Sequence, residues 1–194
     1  MIGAAVDLAC TRCPLCGGRT QVVPGKGPRP ARLVLVGEAP GAREDEEGAP
    51  FVGRAGALLD RALDRAGLTR DQVFITNVVK CRPPDNRKPT PRERAACRIF
   101  LEAELDQAGA SVVLALGATA AEALVGRAVP VERAGSAGIW SEVAGARRSV
   151  HVTFHPAASR FRKGAVGTIA QALARAADEA GVDRRAAKER PLTD

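Results

Sequence analysis

Short, continuous apolar runs alternate along this chain with segments of helical periodicity. Runs rich in Val, Leu and Ile occupy 31–36, 73–79 and 112–116, and further strands are predicted at 139–143 and 149–154. Apolar residues recur at helical spacing over 55–66, and a capping box of Thr90 and Glu93 with Pro91 at the first helical position predicts a helix to about residue 108. Further helices are predicted at 119–125 and 165–180. Because runs of this length are typical of strands buried on both faces, the alternation predicts a three-layer α/β fold with a mostly parallel sheet.

The 194 residues fit a single domain, for which we expect a frayed polar tail over 182–194. A domain of this size buries roughly 70% of the surface of its unfolded chain, so it folds without disulfide staples. No apolar stretch approaches the about 20 residues of a membrane span, and the start lacks a signal-peptide pattern. We expect a cytoplasmic monomer of bacterial intracellular type with no membrane partner.

Charge is distributed unevenly along the chain. The net charge is +7, yet segments 80–98 and 147–163 each carry +5 and segment 38–48 carries −4. Two basic segments around an acidic one predict a polyanionic partner and a separate acidic reaction centre. Solvated arginines on an ordinary surface are the alternative interpretation.

Five cysteines in a protein expected in a reducing compartment indicate metal ligands or catalytic groups rather than disulfides. Cys10 and Cys13 form a C-x-x-C pair, and Cys81 and Cys97 form a wider second pair. Four thiolates suit an iron–sulfur cluster or structural zinc, and the wide second spacing favours a cluster. Unliganded core cysteines are a third interpretation, and Cys16 is a spare or alternative ligand.

Polar residues follow the predicted strands at the edge of the sheet where such folds bind ligands. Glu38, Asn77 and His155 stand at these strand ends. An amide both donates and accepts hydrogen bonds, which suits Asn77 to reading a base edge; a buried Asn satisfied by backbone is the alternative. His155 is either a structural imidazole or a catalytic one.

Segment 37–53 contains four Gly and two Pro and is predicted to be a long functional loop. Phe51 within it is a core plug or a stacking platform for a base. No Walker phosphate loop, dinucleotide-binding glycine motif or serine elbow is present. Together these residues predict a pocket with a carboxylate, an amide, an imidazole and an aromatic ring, flanked by basic loops.

These residues resemble the family 4 uracil-DNA glycosylases, which carry an iron–sulfur cluster. The matching stretches are GEAPG at 37–41 with Glu44 and Asp45, GAPFVGRAG at 48–56, ITNVVKCRPP at 75–84 and HPA at 155–157. The resemblance extends from about residue 10 to 180. It implies a three-layer α/β/α sandwich around a central, mostly parallel four-stranded sheet. It also implies a 4Fe–4S cluster held by Cys10, Cys13, Cys81 and Cys97, with residues 1–30 as the cluster-binding segment.

The resemblance further implies a DNA-repair reaction, in which uracil is flipped out of DNA and its N-glycosidic bond is hydrolysed. Phe51 is expected to stack on the base and Asn77 to pair with its edge. His155, with a backbone amide near Ala39, is expected to stabilise negative charge on the base. Glu38 is expected to position the attacking water. Related families keep an acid where this chain has Ala39, so Glu44 and Asp45 are candidates to share that role.

DNA contacts are expected after the His-Pro turn. The candidates are the backbone amides of Ala157 and Ala158 and the side chains of Arg160, Arg162 and Lys163, with Phe161 as the wedge in the vacated stack. The partner is uracil-containing DNA, single- or double-stranded, and no lyase activity is expected.

Two alternatives share the resemblance. One is a non-catalytic iron–sulfur protein that binds uracil-containing DNA. The other is a relative that becomes covalently trapped on DNA through a His in an arginine-rich insertion. Because the segment from Cys81 to Cys97 contains no His and no insertion, we expect turnover rather than trapping.

Overall fold

The computed structural model describes residues 6–131, 137–160 and 162–184. Its centre is a sheet of β1 (Leu33–Gly37), β2 (Phe74–Asn77), β3 (Val112–Leu116), β4 (Ile139–Val143) and β5 (Ala146–Thr153). The strand order is β2-β1-β3-β5-β4. The first four strands in that order run parallel, and β4 is antiparallel to β5. This confirms the predicted α/β class with a mostly parallel sheet.

Within the described residues the sheet has five strands, where the resemblance implied four. The additional strand is β4, which pairs with β5 through a tight hairpin and lies at the edge. Its burial alternates and Trp140 is exposed, as expected of an edge strand with one solvated face.

The helices are α1 (Ala42–Glu47), α2 (Arg54–Ala66), α3 (Pro91–Ala108), α4 (Ala118–Val125) and α5 (Ala165–Ala180). Helix α1 was not predicted, because segment 37–53 was interpreted as a loop. This helix has no apolar stripe; it is started by Glu44, which accepts from the Gly41 backbone, and ended by Gly48 in the left-handed conformation.

Both faces of the sheet are buried. Val34 and Val36 of β1 point into one core with α3 and α4, while Leu33 and Leu35 point into a second core with α2 and α5. The period-2 alternation of a strand produces this division. Two helical layers therefore cover the faces of the sheet and leave its strand ends open, which places a site at the carboxyl ends of the parallel strands.

The two ends of the described chain are docked. Near the start, Lys26 forms an antiparallel bridge with Ile75 of β2. Near the end, Arg184 donates to the carbonyl of Ala66 and Gln72 donates to that of Asp183. Residues 182–184 thus belong to the packed structure rather than to the predicted frayed tail, whose remainder, 185–194, lies outside the described residues. No helix in the described ranges is long and apolar enough to cross a membrane.

Candidate active site

A cavity of about 730 Å³ opens at the carboxyl ends of β1 and β2. Glu38 and Asn77 reach it from the ends of these strands, His155 from the turn after β5, and Phe51 from the segment between α1 and α2. The structure therefore brings together the four side chains that the sequence placed at separate strand ends and in the glycine loop.

Asn77 is 2% exposed, and its Oδ1 has no hydrogen-bond partner among the described residues. Gly37, its neighbour in the β1–β2 ladder, makes room for it. A Cβ at Gly37 would come within 2.4 Å of Asn77 Oδ1 and 2.5 Å of Phe51 Cζ. Because a buried polar atom without a partner costs stability, this acceptor indicates a site for a ligand with a hydrogen-bond donor.

Phe51 is held in a conformation that large residues rarely adopt. Its φ is 55°, in the left-handed region, where a non-glycine residue costs on the order of 1–3 kcal/mol. Its carbonyl accepts from Arg70 Nη2 at 2.5 Å, and a Cβ at Gly56 would lie only 1.8 Å from that oxygen. The ring is 4% exposed and its centroid lies 5.8 Å from that of the His155 ring. This fixed ring forms one wall of the cavity.

His155 lines the opposite side of the cavity, and a backbone contact sets its tautomer. The Ala157 N–H donates to His155 Nδ1 at 3.2 Å. Nδ1 is therefore an acceptor, so the proton of the neutral ring lies on Nε2. Burial lowers the pKa of His155, and the nearby carboxylates of Glu38 and Glu44 oppose this only partly. At neutral pH the site thus contains a neutral imidazole with an Nε2–H donor.

Glu38 is oriented by a hydroxyl that the sequence analysis did not single out. Thr119, in the first turn of α4, donates from Oγ1 to Glu38 Oε2. Glu38 itself is only half-buried and faces the cavity. With one oxygen held by Thr119, the carboxylate keeps a second oxygen, Oε1, for a ligand or water.

Glu44 lines the cavity but is committed to the backbone. Its Oε1 accepts from the Gly53 N–H at 2.7 Å and its Oε2 from the Gly41 N–H at 3.1 Å. Asp45 faces away, with Oδ2 accepting from the Thr20 N–H at 2.9 Å. Ala39 contributes to the cavity wall. Glu44 therefore joins the two ends of the segment that carries Phe51. Of the two carboxylates that line the cavity, Glu38 is the one with an oxygen available.

The backbone amides after the His-Pro turn are both used by His155. The Ala157 N–H bonds its ring, and the Ala158 N–H bonds its carbonyl at 2.8 Å. The guanidinium of Arg162 lies over the Phe154 ring at 4.6 Å, and Lys163 is exposed. The side chain of Arg160 and the whole of Phe161 lie outside the described part of the structure. The expected DNA contacts of this turn therefore stay predictions.

A second basic surface, which sequence reasoning missed, borders the cavity on α2. Arg54 and Arg61 are exposed and line the cavity. In the described part of the chain neither has a carboxylate partner, whereas Arg87, also at the cavity, is paired with Glu93. The sequence carried a usable signal, because residues seven apart lie on one face of a helix.

Four of the five cysteines line a second, apolar pocket. Cys10 and Cys13 come from the N-terminal segment, Cys81 from the loop after β2 and Cys97 from α3. Cys16 is not among the residues lining this pocket. Among the described residues, no group of three His, Cys, Asp or Glu is close enough to hold one metal ion.

Cys81 and Cys97 are buried and each has a cationic neighbour, Arg19 and Lys80 respectively, while Cys10 and Cys13 are half-buried. Burial raises the pKa of Cys13 and Cys81 and raises that of Cys97 to about 11. Arg19 Nη1 donates to Cys81 Sγ at 3.4 Å and to the Cys10 carbonyl at 2.7 Å. Arg19 therefore links two of the cysteines and opposes part of the effect of burial on the Cys81 pKa.

Comparisons with known proteins identify the family of this chain. A profile of the Uracil DNA glycosylase superfamily matches residues 24–176. The type-4 uracil-DNA glycosylase of Thermotoga maritima is 48% identical over 149 residues, 76% of each chain. That of Pyrobaculum aerophilum is 44% identical over 77% of this chain and 78% of its own. That of Archaeoglobus fulgidus is 40% identical over 80% of each. The chain belongs to the Uracil DNA glycosylase superfamily and, within it, to the type-4 uracil-DNA glycosylases.

Proposed function

We propose that this chain removes uracil from DNA by hydrolysing its N-glycosidic bond, which yields free uracil and an abasic site for base excision repair. The family supports the reaction class. The observation that carries the assignment to this pocket is the buried Asn77 Oδ1, which has no partner in the described chain and lies beside the fixed Phe51 ring.

Recognition of the base combines stacking with hydrogen bonding. The uracil is flipped out of the DNA, at a cost of a few kcal/mol for unstacking, and enters the cavity. Phe51 stacks on its face, while Asn77 Oδ1 accepts from N3–H and the amide nitrogen donates to O4. Cytosine presents an acceptor at N3 and a donor at N4, so it would leave both groups of the Asn77 amide unmatched.

Cleavage of the bond leaves its electron pair on the base. As the bond between N1 and C1′ lengthens, negative charge develops on N1 and O2 of the uracil and positive charge on the sugar. The neutral His155 donates its Nε2–H to O2 and so stabilises the departing anion. The Ala157 N–H on Nδ1 supports this role, because it holds the ring in the tautomer with the proton on Nε2.

Water completes the reaction at C1′. Glu38 orients this water through Oε1, favours the sugar cation by its charge and accepts the proton that the water releases. Thr119 supports this by fixing Oε2 of the same carboxylate. Glu44 acts on the shape of the site, since its two backbone bonds hold the segment that carries Phe51.

DNA lies across the mouth of the cavity on two basic surfaces. Arg54 and Arg61 of α2 contact backbone phosphates on one side, and Arg162 and Lys163 do so on the other. The support for the first pair is that both are exposed, line the cavity and have no carboxylate partner in the described chain. The acidic groups of the site lie deeper, where they meet the base and the water rather than phosphate.

The four-cysteine pocket fits a 4Fe–4S cluster bound by Cys10, Cys13, Cys81 and Cys97. Support comes from four thiols lining one apolar cavity, a donor set that such clusters accept. When bound, the cluster ties the N-terminal segment to the loop after Asn77 and to α3. Arg19 assists by donating to Cys81 Sγ, which favours its thiolate form. Cys16 has no role in this site.

The decisive experiment is excision of uracil from a labelled oligonucleotide that contains a single uracil, followed by alkaline cleavage at the abasic site. The wild-type protein should cut the uracil strand and leave the matching cytosine strand intact. An uncut uracil strand would contradict the enzyme assignment.

Asn77→Ala tests the reading of the base. Loss of the Asn77 amide should reduce the single-turnover rate on uracil about 5- to 150-fold, because an edge contact to a base is worth ~1–3 kcal/mol. Affinity for uracil-free DNA should stay the same, since Asn77 is buried away from the phosphates. An unchanged rate would remove Asn77 from the recognition site.

A further inference from the structure

Behind the cavity the structure contains a fully buried lysine. Lys80 is 1% exposed and follows β2 by three residues. Its Nζ donates to three oxygens, each at 2.6 Å: Thr76 Oγ1, the Asn77 backbone carbonyl and Glu104 Oε2. These acceptors match the three N–H groups of an ammonium. The charge is therefore fully satisfied, and the side chain folds back onto the end of its own strand.

Helix α3 holds this lysine at two points. Glu104, at 0% exposure, pairs with Nζ, and its other oxygen accepts from the Gly25 N–H at 2.6 Å. Two turns earlier on the same helix, Cys97 Sγ accepts from the Lys80 backbone N–H at 3.3 Å. Lys80 thus stands between the base-binding end of β2 and the cysteine pocket, with α3 contacting both its backbone and its side chain.

No hydrogen bond to Oδ1 from the described residues orients the side-chain amide of Asn77, so its orientation depends on how its backbone is held. Its Oδ1 accepts no hydrogen bond from the described residues, so packing against Gly37 and Phe51 fixes its side chain only sterically. Its backbone is fixed by the Gly37 ladder on one side and by Lys80 Nζ on its carbonyl. The N–H of the peptide after Asn77 donates to the Gly37 carbonyl at 2.9 Å. Removing the Lys80 contact would therefore leave this peptide held on one side only and let it tilt, together with the Asn77 amide.

We propose that Lys80, anchored by Glu104, is a positioning residue that aims the Asn77 amide at the edge of the base. This rests on the proposed function, in which Asn77 reads uracil. A lysine suits the task because its charged donor must reach three acceptors in a dry interior, where charge-assisted hydrogen bonds are strong. A buried pair of this kind contributes little net stability over apolar residues, whereas its geometry fixes one peptide.

The test variant is Lys80→Met with Glu104→Gln, which removes both charges together. Met keeps the length of the stem, and Gln keeps oxygen and nitrogen atoms near Thr76 and Gly25, so no buried charge is left unpaired. The single-turnover rate on uracil should fall roughly tenfold. Affinity for uracil-free DNA and the iron content per protein should not change, because neither phosphate contacts nor cysteines are altered.

Combination with Asn77→Ala separates positioning from a general structural effect. If Lys80 acts through Asn77, adding Lys80→Met and Glu104→Gln to the Asn77→Ala protein should lower its rate by less than about twofold. The effects of residues that act as one unit are not additive. A tenfold loss that persists in the Asn77→Ala background would overturn the proposal. A wild-type rate in the Lys80→Met/Glu104→Gln protein, together with a slow Asn77→Ala protein, would also overturn the proposal.

Arg148→Met is the matched control. Arg148 is also buried, 3% exposed, and donates to the carbonyls of Leu105 and Ala110 at the far end of α3. Its loss should lower the melting temperature at least as much, yet leave the uracil rate of the folded protein unchanged. A rate that simply follows melting temperature across both variants would contradict a positioning role.

Thr76→Val is the milder second variant, should the Lys80→Met/Glu104→Gln protein fold poorly. It removes one of the three acceptors of Lys80 Nζ and leaves the Lys80–Glu104 charge pair in place, so the rate should fall by a smaller factor, again only when Asn77 is present. Failure of the proposed function itself has a different signature, because the wild-type protein would then leave the uracil strand intact.

Discussion

The chemistry of single residues in this pocket depends on contacts that fix protons and angles. His155 illustrates this, because one backbone N–H on Nδ1 determines which ring nitrogen faces the cavity as a donor. Phe51 is fixed in a similar way, by Arg70 on its carbonyl and by the close approach of Gly56. The reactive groups are therefore oriented before a ligand arrives, which is what electrostatic catalysis requires.

Replacing His155 with Ala should slow bond cleavage about 10²- to 10³-fold, the usual cost of losing one preorganised donor to a developing anion. The affinity for uracil-containing DNA should change little. Single-turnover kinetics at saturating protein, with a separate binding titration, measures both. The other histidine of the chain offers the control, because His151 lies within β5, away from the cavity, and its Nε2 is hydrogen-bonded to Glu179 at 2.8 Å. His151→Gln should retain the rate.

Residues at strand ends were predictable from sequence, because the carboxyl ends of parallel strands meet at one edge. Asn77 and His155 are examples. Thr119 and Lys80 were not predicted, since their partners Glu38 and Glu104 are distant in sequence. A hydroxyl in the first turn of a helix or a lysine in an apolar run has many possible partners, and only the packing selects one.

Single elements of the structure carry separate tasks. Helix α2 packs Leu59, Ala62, Leu63 and Ala66 into the core and presents Arg54 and Arg61 to the cavity mouth. These arginines lie about 10 Å apart along the helix axis. One face of this helix thus stabilises the sandwich, and the adjoining edge is available to DNA.

Arg54→Ala with Arg61→Ala should weaken binding to duplex DNA and make it less sensitive to salt. Each lost phosphate contact lowers the slope of log K against log salt by about 0.9, so the slope should become shallower by about 1.8. Arg65→Ala is the control, because Arg65 is exposed on the same helix but does not line the cavity. An equal effect of Arg65→Ala would show that the change in binding comes from the lower net charge and not from contacts of Arg54 and Arg61 with phosphate.

Glu93, at the start of α3, should make the free energy of unfolding fall at acidic pH. Glu93 accepts from Arg87 and from the Thr90 N–H, and its pKa falls from 4.5 to about 2, chiefly through the Arg87 hydrogen bonds. Because the folded pKa lies below the unfolded one, this stabilisation is complete above about pH 4.5. It is lost as the pH falls towards 2.

Glu93→Gln should therefore be less stable than the wild type at pH 7 and lose less stability between pH 4.5 and 2. Urea unfolding at a series of pH values gives the free energy of unfolding of each protein, and the slopes of the two curves against pH are then compared. Glu46→Gln, on the exposed side of α1, should keep the wild-type slope. Parallel curves for Glu93→Gln and the wild type would show that Glu93 does not supply the acid sensitivity.

Helices with a regular apolar period or with a Thr-x-x-Glu capping box were predictable, and a short helix with neither was not. Helix α5 was predicted over the residues it occupies, because its apolar spacing is regular and Gly164 and Gly181 bound it. Helix α1 was missed, because its six residues are nearly all charged and its ends depend on Glu44 and Gly48. A short helix without an apolar stripe gives sequence periodicity nothing to detect.

The N-terminal segment packs against the edge of the sheet and also forms part of the cysteine pocket. It covers the edge of β2 through Lys26, buries Val6 and Leu15, and contributes Cys10 and Cys13 to the cysteine pocket. The same pocket receives Cys81, which lies four residues after Asn77. Loss of the cysteine site should therefore affect the stability of the fold more than the chemistry of the cavity.

On the proposed cluster assignment, Cys10→Ser with Cys13→Ser should yield purified protein without iron and without visible absorbance, and with a lower melting temperature. The N-terminal segment should also become open to proteases, because two of its anchors are gone. Cys16→Ser is the matched control and should keep iron, colour and stability, since Cys16 does not line the pocket. Retention of iron in the double variant would exclude Cys10 and Cys13 as ligands.

The position of the four cysteines along the chain also sets an order of assembly. Cys10 and Cys13 leave the ribosome early, but their pocket has no wall until β2 has joined the sheet and α3 has been synthesised and packed. A segment made before the whole sheet is thus among the last to find its place. We expect delivery of the proposed cluster to follow translation of α3, so that iron supply would limit the yield of mature protein rather than the folding of its sheet.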